Sequence, residues 1–261
     1  MAFSNGYTIG FAGAVCVFCS IFVAGSAVAL KEKQDLNAVV DKQTQVLKVA
    51  GLVQEGEPIA PAEVTKRFED NLVPRIIDLA SGEYVDDVDA KTFDTQAAMA
   101  DPATSIEAPT NDAKVQRLPK QAKIFELKRP DGSVGAIILP VQGKGLWSTL
   151  KGFIALSPDT TTVEGLTFYS HAETPGLGGE VDNPKWKALW PGRKAFDDKG
   201  EVKIEVIKGQ AGPAAEDPYR VDGLSGATIT SRGVSHLVQF WLGKEAFGPY
   251  LEKVRSGAGK K

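Results

Sequence analysis

The stretch Ile124–Val141, IFELKRPDGSVGAIILPV, is the strongest indication of the fold of the second half of the chain. It contains two strand-type runs, one from Ile124 to Lys128 and one from Gly135 to Val141. Between them stands Pro130-Asp131-Gly132, which is typical of a tight turn because proline presets φ and glycine accepts a positive φ. The stretch therefore predicts an antiparallel β-hairpin.

Further strands and one helix are indicated on the C-terminal side of the hairpin. Gly152–Leu156 and Val163–Tyr169 are predicted as a second strand pair, and Val202–Val206 alternates apolar and charged residues as a half-buried strand does. Strands grouped before a terminal helix predict an α+β fold, with a mainly antiparallel sheet and flanking helices. The predicted helix ends at Gly243, and its apolar face consists of Val234, Leu237, Val238, Trp241 and Leu242.

The first segment of the chain is apolar enough to cross a membrane. No charged residue occurs from Tyr7 to Leu30, and about 20 apolar residues suffice to span a hydrocarbon core as a helix. A secretory signal peptide is the alternative, because Ala27-Val28-Ala29 resembles a cleavage site. The absence of Lys or Arg before the segment and its length favour a retained single-pass anchor over residues 1–35.

Residues 36–119 are predicted to form a helical and irregular part of the domain that follows the anchor. Apolar residues at helical spacing indicate a helix from Leu36 to Ala50 that stops at Gly51. A second helix is predicted from Pro61 to about Val73, with Pro74 breaking it. The polar stretch from Glu83 to Pro119 has few bulky apolar residues and is interpreted as an irregular excursion or linker rather than core. The main core is therefore assigned to residues 120–261.

The composition excludes several classes of protein. Apolar residues make up 43% of the chain and charged residues 24%, a balance that favours a packed domain. The net charge is −3, so a nucleic-acid partner is not expected. The two cysteines, Cys16 and Cys19, both lie in the apolar first segment, which excludes a disulfide framework in the domain. Neither a metal site nor a redox site is expected from this pair, since its flanks are apolar.

The most specific stretch is Asp222–Thr230, DGLSGATIT, immediately before the predicted terminal helix. Free amides and the positive end of a helix dipole stabilise an anion at such a position. Gly226 and Ala227 leave the hydroxyl of Thr228 unshielded. On physical grounds alone, an ordinary helix cap by a Ser or Thr remains the alternative.

This stretch, here called the acceptor motif, resembles the motif modified by bacterial flavin transferases. That motif has an Asp, two variable residues, Ser or Thr, and then Gly-Ala-Thr. The resemblance implies that Thr228 receives FMN through its phosphate. It also implies that the transferase recognises Asp222, Ser225, Gly226, Ala227 and Thr228. Thr230 is the nearest competing hydroxyl.

A second distinctive stretch is His171–Glu180, HAETPGLGGE, after a predicted strand. Its proline and three glycines predict a tight loop whose backbone can approach a planar ligand. It matches neither a dinucleotide fingerprint nor a phosphate-binding loop, and a plain surface turn remains the alternative. Together with Gly143–Trp147 upstream and Trp186 and Trp190 downstream, the loop resembles the C subunit of the bacterial sodium-translocating NADH:quinone oxidoreductase.

The resemblance implies that residues 120–261 are an FMN-binding core, and it names candidate flavin contacts. Leu177 is expected to pack on the isoalloxazine ring, and Glu173 and Thr174 to bond ring or ribityl atoms. Trp147 is expected to stack, with ordinary core packing as the alternative. His171 is expected to be either a flavin-tuning group or a structural histidine, and His236 has no special role. The remaining candidate contacts are Ser225, Gly226, Ala227 and Gly178.

The family also implies a function, partners and a location. The chain is expected to be a covalently flavinylated electron-transfer subunit of a complex that couples NADH oxidation and quinone reduction to sodium export. Its partners would be the other membrane subunits, including a second flavin-carrying one, and a flavin transferase during maturation. The family implies an inner-membrane protein with a periplasmic domain, whereas four lysines that follow the anchor, from Lys31 to Lys48, favour a cytoplasmic domain.

Three alternative functions are considered. The chain also resembles the G subunit of the related ferredoxin:NAD oxidoreductase, which shares the anchor and the acceptor motif. A cofactor-free membrane-tethered assembly module is the second. A hydrolase that uses Ser225 or Thr228 with His171 is the third, although the sequence places no acid to orient that base.

Overall fold

The computed structural model describes residues 4–257 of the 261-residue chain. Residues 1–3 of the predicted anchor and 258–261 of the predicted core lie outside the described part. The chain forms two compact units, the first ending at Lys42 and the second beginning at Gln43. In chain order the elements are α1 (Asn5–Val49), α2 (Pro61–Asn71), β1 (Leu72–Asp78), α3 (Thr95–Ala100), β2 (Ser105–Glu107), β3 (Arg117–Pro119), β4 (Gln121–Lys128), β5 (Val134–Lys144), β6 (Thr149–Leu156), β7 (Val163–Ser170), a 3-10 helix (Gly178–Asp182), α4 (Pro184–Lys187), β8 (Glu205–Val206), β9 (Arg220–Val221), α5 (Thr228–Leu242) and α6 (Gly248–Arg255).

Within the described residues, the first unit consists of α1 up to Lys42, including all of its apolar part. Within residues 4–257, α1 is the one helix whose length and composition would allow it to cross a membrane. Its side chains are exposed from Ser4 to Val39, including the free Cys16 and Cys19. The helix predicted from Leu36 to Ala50 is the continuation of this same helix, which ends at Val49.

The second unit begins with the last turns of α1. Val46, Leu47 and Val49 are buried there. Thr167 Oγ1 on β7 donates to Gln45 Oε1 at 2.8 Å. Gly51, with a φ of +73°, ends the helix as predicted. These turns of α1 are therefore part of the packed domain.

A five-stranded antiparallel sheet forms the centre of the second unit, in the order β1-β4-β5-β6-β7. The predicted hairpin is confirmed as β4 and β5, and the second predicted pair as β6 and β7. Ile137 and Leu139 belong to the core that contains α5, whereas their buried neighbour Ile138 points to the opposite face. On that opposite face Phe68 of α2 contacts Phe125, with ring centroids 5.3 Å apart. Burial on both faces explains the continuous apolar run in β5.

The predicted helix Pro61–Val73 is too long, because its last two residues belong to a strand. Helix α2 ends at Asn71, and β1 follows directly with Pro74 inside it. Strand β1 is an edge of the sheet, where proline is tolerated because one side of the strand needs no ladder hydrogen bonds. Ile76 and Ile77 of β1 are both buried, so pairing with β4 fixes this strand.

Much of Glu83–Pro119 is irregular, but the expectation that the stretch contributes nothing to the core is wrong. Helix α3 is capped by Asp94, whose carboxylate accepts from the amides of residues 96 and 97, and β2 pairs with β3. Met99, Val115 and Leu118 are buried in the core with the main sheet. The division into 1–35, 36–119 and 120–261 itself stays a prediction.

The C-terminal part places α5 against the sheet. The predicted helix over Val234–Leu242 is confirmed, begins earlier at Thr228, and has Gly243 as its C-cap. Trp241 Nε1 donates to the carbonyl of Gln142 on β5 at 2.6 Å. The strand predicted at Val202–Val206 is reduced to β8, which pairs in parallel with β9, and α6 was not predicted. An apolar N-terminal helix followed by an antiparallel sheet with helices confirms the α+β class.

Leu47→Ala tests whether the end of α1 stabilises the domain. Leu47 has 0% exposure, so truncation should lower the free energy of unfolding by about 2–5 kcal/mol, measured by denaturant titration of the full chain in detergent. Ile106→Ala is the control, because Ile106 is 51% exposed. An equal small effect of both substitutions would show that the last turns of α1 do not support the domain.

Candidate flavin site

The acceptor motif forms the turn that leads into α5. Ala227 is the N-cap residue, and Thr228 is the first residue of the helix, with an exposed side chain. Within residues 4–257 no side chain caps this end of α5, so the alternative role of Thr228 as an ordinary cap is wrong. Gly226 has a φ of +71°, which glycine adopts without strain. The motif thus presents a threonine hydroxyl at the positive end of a helix dipole.

Hydrogen bonds on both sides hold the acceptor motif in place. Trp186 Nε1 donates to the carbonyl of Asp222 at 2.8 Å, and Asp222 Oδ1 accepts from the amide of Ala211 at 2.9 Å. Directly after the motif, Ser231 Oγ accepts from the amide of Leu224 at 3.0 Å. Asp222 therefore fixes the loop through its own hydrogen bonds, one of which comes from the indole nitrogen of the buried Trp186.

Glu173 is the central polar residue of the site, with 4% exposure. Its Oε1 accepts from the amides of Trp147 and Ser148 and from Ser148 Oγ, each at 3.0 Å. Its Oε2 accepts from the Leu146 amide at 3.2 Å and from Thr230 Oγ1 at 2.7 Å. Both carboxylate oxygens are thus engaged by the protein, and the contacts give no support to the predicted direct bond from Glu173 to a flavin.

The hydrogen bonds keep Glu173 ionised. Burial by itself would raise the pKa of this carboxyl, but hydrogen bonds from Thr230 and from the amides of Ser148, Trp147 and Leu146 outweigh burial and hold the pKa below the ordinary glutamate value. A lowered folded-state pKa means that the stabilising contribution is full above the pKa of unfolded glutamate, about 4.3, and disappears as the pH falls through the folded value.

Glycines allow three chain segments to meet at this carboxylate. A Cβ on Gly145 would stand 2.7 Å from Glu173 Oε1, and one on Gly178 would stand 2.7 Å from Oε2. On α5, a Cβ on Gly233 would stand 2.4 Å from the carbonyl oxygen of Lys144. The turn after β5, the loop after β7 and the start of α5 are therefore in close contact.

The loop after β7 is a compact turn, as its sequence predicts. The carbonyl of Thr174 accepts from the amides of Leu177 and Gly179 at 3.1 and 2.9 Å. Gly176 has a φ of +76°. The side chains of Thr174 and Leu177 are exposed, and Leu177 Cδ2 lies 2.9 Å from the position of a Cβ on Gly226. The loop thus packs directly against the acceptor motif.

His171 is engaged on both sides of its ring. Its Nε2 lies 2.7 Å from Asp182 Oδ2, and its Nδ1 accepts from the Glu173 amide at 3.2 Å. The ring therefore ties the two ends of the loop together, which favours the structural role for this histidine. His236 is half-buried on α5.

Exposed apolar side chains lie on the segments that meet near the start of α5. Outside α1, six large hydrophobic side chains are exposed in the described part of the chain: Tyr84, Ile106, Leu146, Trp147, Leu177 and Ile229. The last four are here called the apolar rim, because the contacts above bring their segments together. Trp147 is 68% exposed, so its alternative role as ordinary core is wrong. A clustered exposed apolar patch on a folded domain indicates a binding site.

A cavity of about 670 Å³ opens beside Thr228 and is lined by Val206–Gln210 and the acceptor motif. Lys208 and Arg232 bring two positive charges to its lining. Arg232 lies four residues after Thr228 on α5, so the two side chains share one helix face. A larger cavity, of about 860 Å³, is lined by Asp159, Arg255 and neighbours and includes no residue of the acceptor motif.

The structure brings most of the predicted site residues together. Ser225 and Gly226 are exposed beside Thr228, and Ala227 is buried beneath the turn. Several residues of the site were not predicted from the sequence. The spacing of Arg232 from Thr228 was a usable signal, whereas nothing local marks the others, whose proximity depends on tertiary folding: Leu146, Ser148, Lys208 and Ile229.

The FMN-binding domain family matches residues 145–243. This range contains the turn after β5, the loop after β7 and all of α5. Fold and site together define an FMN-binding protein.

The chain is also similar to known proteins over most of its length. It is 46% identical to the C subunit of the Na(+)-translocating NADH-quinone reductase of Pseudomonas aeruginosa over 247 residues, which cover 93% of either chain. The Yersinia pestis protein of the same name is 45% identical over 246 residues, 94% of this chain and 91% of that one. The crystal structure of Shewanella oneidensis NqrC matches with a TM-score of 0.75 at 34% identity and covers 82% of this chain and 96% of that one. The chain therefore belongs to the family of C subunits of the Na(+)-translocating NADH-quinone reductase, an enzyme complex, as its sequence predicts.

Gly178→Ala tests the close contact at Glu173. The added methyl would stand 2.6 Å from Thr230 Oγ1 and 2.7 Å from Glu173 Oε2, so we expect a loss of about 1–3 kcal/mol in the free energy of unfolding. Gly212→Ala is the matched control, because its Cβ would meet its nearest atom, Asp217 Cβ, at 3.3 Å. Equal unfolding midpoints for the two variants would contradict this packing.

Proposed function

We propose that this chain carries FMN covalently, through a phosphoester to Thr228 Oγ1, and passes electrons within a sodium-translocating NADH:quinone oxidoreductase. The observation that carries the proposal is the exposed Thr228 side chain at the first residue of α5, with an apolar rim near it and a cavity edged by two cations. A buried or capping threonine would be out of reach of a transferring enzyme.

The residues around Thr228 fit the parts of FMN. The phosphate is an anion, and the N-terminus of α5 and the guanidinium of Arg232 both favour negative charge. The isoalloxazine ring has apolar faces, and Trp147 and Leu177 offer exposed apolar surface for them. Gly226 leaves free the space next to Leu177 that a Cβ would fill.

FMN, when bound, supplies the electron chemistry, and the chain binds, orients and shields it. Trp147 and Leu177 would exclude water from the ring. The exposed side chains of Ser225 and Thr174 would offer hydrogen bonds to polar atoms of the ribityl chain and the ring. Gly178 keeps the loop close to α5 because it has no side chain to separate them.

Attachment requires a flavin transferase during maturation. The side of the motif open to such an enzyme consists of Ser225, Gly226 and Thr228, which are exposed. Asp222 and Ala227 would act by shaping the turn, since Asp222 is held by hydrogen bonds and Ala227 is buried. The bond to Thr228 would keep the cofactor at its site at a high effective concentration.

The family membership supports the wider assignment. The partners would be the other membrane subunits of the complex, including a second flavin-carrying one. Helix α1 would be a single-pass anchor in a bacterial inner membrane. We place the domain on the periplasmic side, against the local lysine bias, because a long domain translocates largely regardless of flanking charge.

Two alternatives are less consistent with the site. A cofactor-free assembly module does not explain why the apolar rim and Thr228 are exposed. A hydrolase built on His171 would need a free imidazole nitrogen to activate Ser225 or Thr228, but both nitrogens are engaged within the loop. Visible flavin absorption that remains with the denatured protein separates the proposal from both.

Thr228→Val is the sharpest test of attachment, because it keeps the shape of the side chain and removes the hydroxyl. Coexpressed with the transferase, this variant should fold but lack both the FMN mass increment and in-gel flavin fluorescence. Thr228→Ser should retain some attachment, since a hydroxyl remains. Thr230→Val should keep the mass increment, because Thr230 is 1% exposed and out of reach of the transferase.

Mass spectrometry of the intact chain and of its tryptic peptides decides the outcome. Covalent FMN on Thr228→Val, or a Thr228 peptide that is only unmodified in the native complex, would overturn the proposal. Free flavin released from wild type on denaturation would show a non-covalent site instead.

Sidedness is tested separately with protease. External protease should digest the domain in spheroplasts whose inner membrane is sealed, and a cytoplasmic marker protein should stay intact. Protection of the domain until detergent is added would place it in the cytoplasm.

A further inference from the structure

Three segments of the site converge on one carboxylate. The turn 145–148 supplies three amides and one hydroxyl, Glu173 itself stands in the loop after β7, and Thr230 belongs to the first turn of α5. We infer that Glu173 and Thr230 form a positioning pair that fixes the apolar rim relative to the end of α5 that carries Thr228. This inference rests on the proposed flavin attachment for its function, but not for its geometry.

The turn 145–148 depends on Glu173 for its order. It lies between β5 and β6, and its backbone closure is the hydrogen bond from the Gly145 amide to the Ser148 carbonyl, at 2.8 Å. The amides of Leu146, Trp147 and Ser148 point instead at the carboxylate. Leu146 and Trp147 are rim residues, so the placement of half of the rim follows from these hydrogen bonds.

The chemistry of the contact requires a carboxylate rather than an amide. The groups that reach Glu173 all donate: three amides, Ser148 Oγ and Thr230 Oγ1. An ionised carboxylate only accepts, so every contact is satisfied. A glutamine has the same shape, but its NH₂ group would face at least one of the three backbone amides, which can only donate, whereas the Ser148 and Thr230 hydroxyls could turn to accept. A buried donor facing another donor costs the full desolvation of both groups.

The covalent bond alone does not hold the isoalloxazine ring in place, whereas a positioning pair does. A phosphoester on Thr228 fixes only the phosphate, and the flexible ribityl chain leaves the isoalloxazine ring free to move. The ring is held only if the rim is itself fixed relative to Thr228. Thr230 lies two residues after Thr228 and donates to Glu173 at 2.7 Å, so the same rigid helix turn carries the attachment point and one half of the pair.

The first experiment needs no flavin. Amide hydrogen exchange is measured by mass spectrometry on the full chain in detergent, in the Thr228→Val background, with and without Glu173→Gln. Exchange at residues 146–148 should become about tenfold faster or more when the charged acceptor is lost, while strand β5 keeps its protection. Unchanged exchange at 146–148 would overturn the inference. Equal acceleration throughout β5 would also overturn it, by showing that Glu173 supports the whole fold.

The second experiment uses the flavinylated chain and a milder pair of variants. Thr230→Val removes the hydroxyl and Thr230→Ser retains it, and both should show the FMN mass increment of wild type. The steady-state fluorescence anisotropy of the flavin should fall in Thr230→Val and stay at the wild-type value in Thr230→Ser. Equal anisotropy in all three proteins would refute the positioning role. A wild type without the FMN increment would refute the proposed function, while the exchange experiment still decides the pair.

Discussion

The close packing of α5 on the end of β5 is the constraint on which the site depends. A Cβ on Gly143 would stand 2.5 Å from Leu237 Cβ, and a Cβ on Gly233 would stand 2.4 Å from the carbonyl oxygen of Lys144. At the other end of the contact Trp241 Nε1 donates to Gln142. Because a helix moves as a rigid unit, any side chain at these glycines would push α5 outward and carry Thr228 with it.

Apolar and polar interactions fix different parts of this region. The buried face of α5, with Val234, Leu237 and Val238 at 0% exposure, fixes the helix axis through burial that has no directional preference. The loops near the first turn of α5 cannot be fixed in that way, because they lie at the surface and their apolar side chains are exposed. There the ionised Glu173 supplies directional contacts, and hydrogen bonds to a charged group are stronger than neutral ones. The apolar core therefore places the first turn of α5 with Thr228, and the polar contact places the loops next to it.

Within the second unit, a chain of contacts joins the end of α1 to the acceptor motif. Lys48 forms an ion pair with Glu55 at 2.8 Å, and Glu55 also pairs with Lys187 on α4. The residue before Lys187 is Trp186, whose indole nitrogen donates to the carbonyl of Asp222. The last turns of α1 and the acceptor motif thus belong to one packed body.

The sequence by itself determined the features that repeat along the chain or match a motif. These are the strands from β4 to β7, the apolar helix, the helix α5 and the turn that leads into it, each set by local periodicity, by turn residues or by a short pattern. Only the tertiary structure decided the rest. Pro74 lies in a strand because β1 is an edge, and Met99 and Leu118 are core because they fold back onto the sheet. Glu173 binds the protein because glycines let two distant segments, the turn 145–148 and the start of α5, approach its loop. Each of these depends on contacts between residues far apart in the chain, and no local pattern records such contacts.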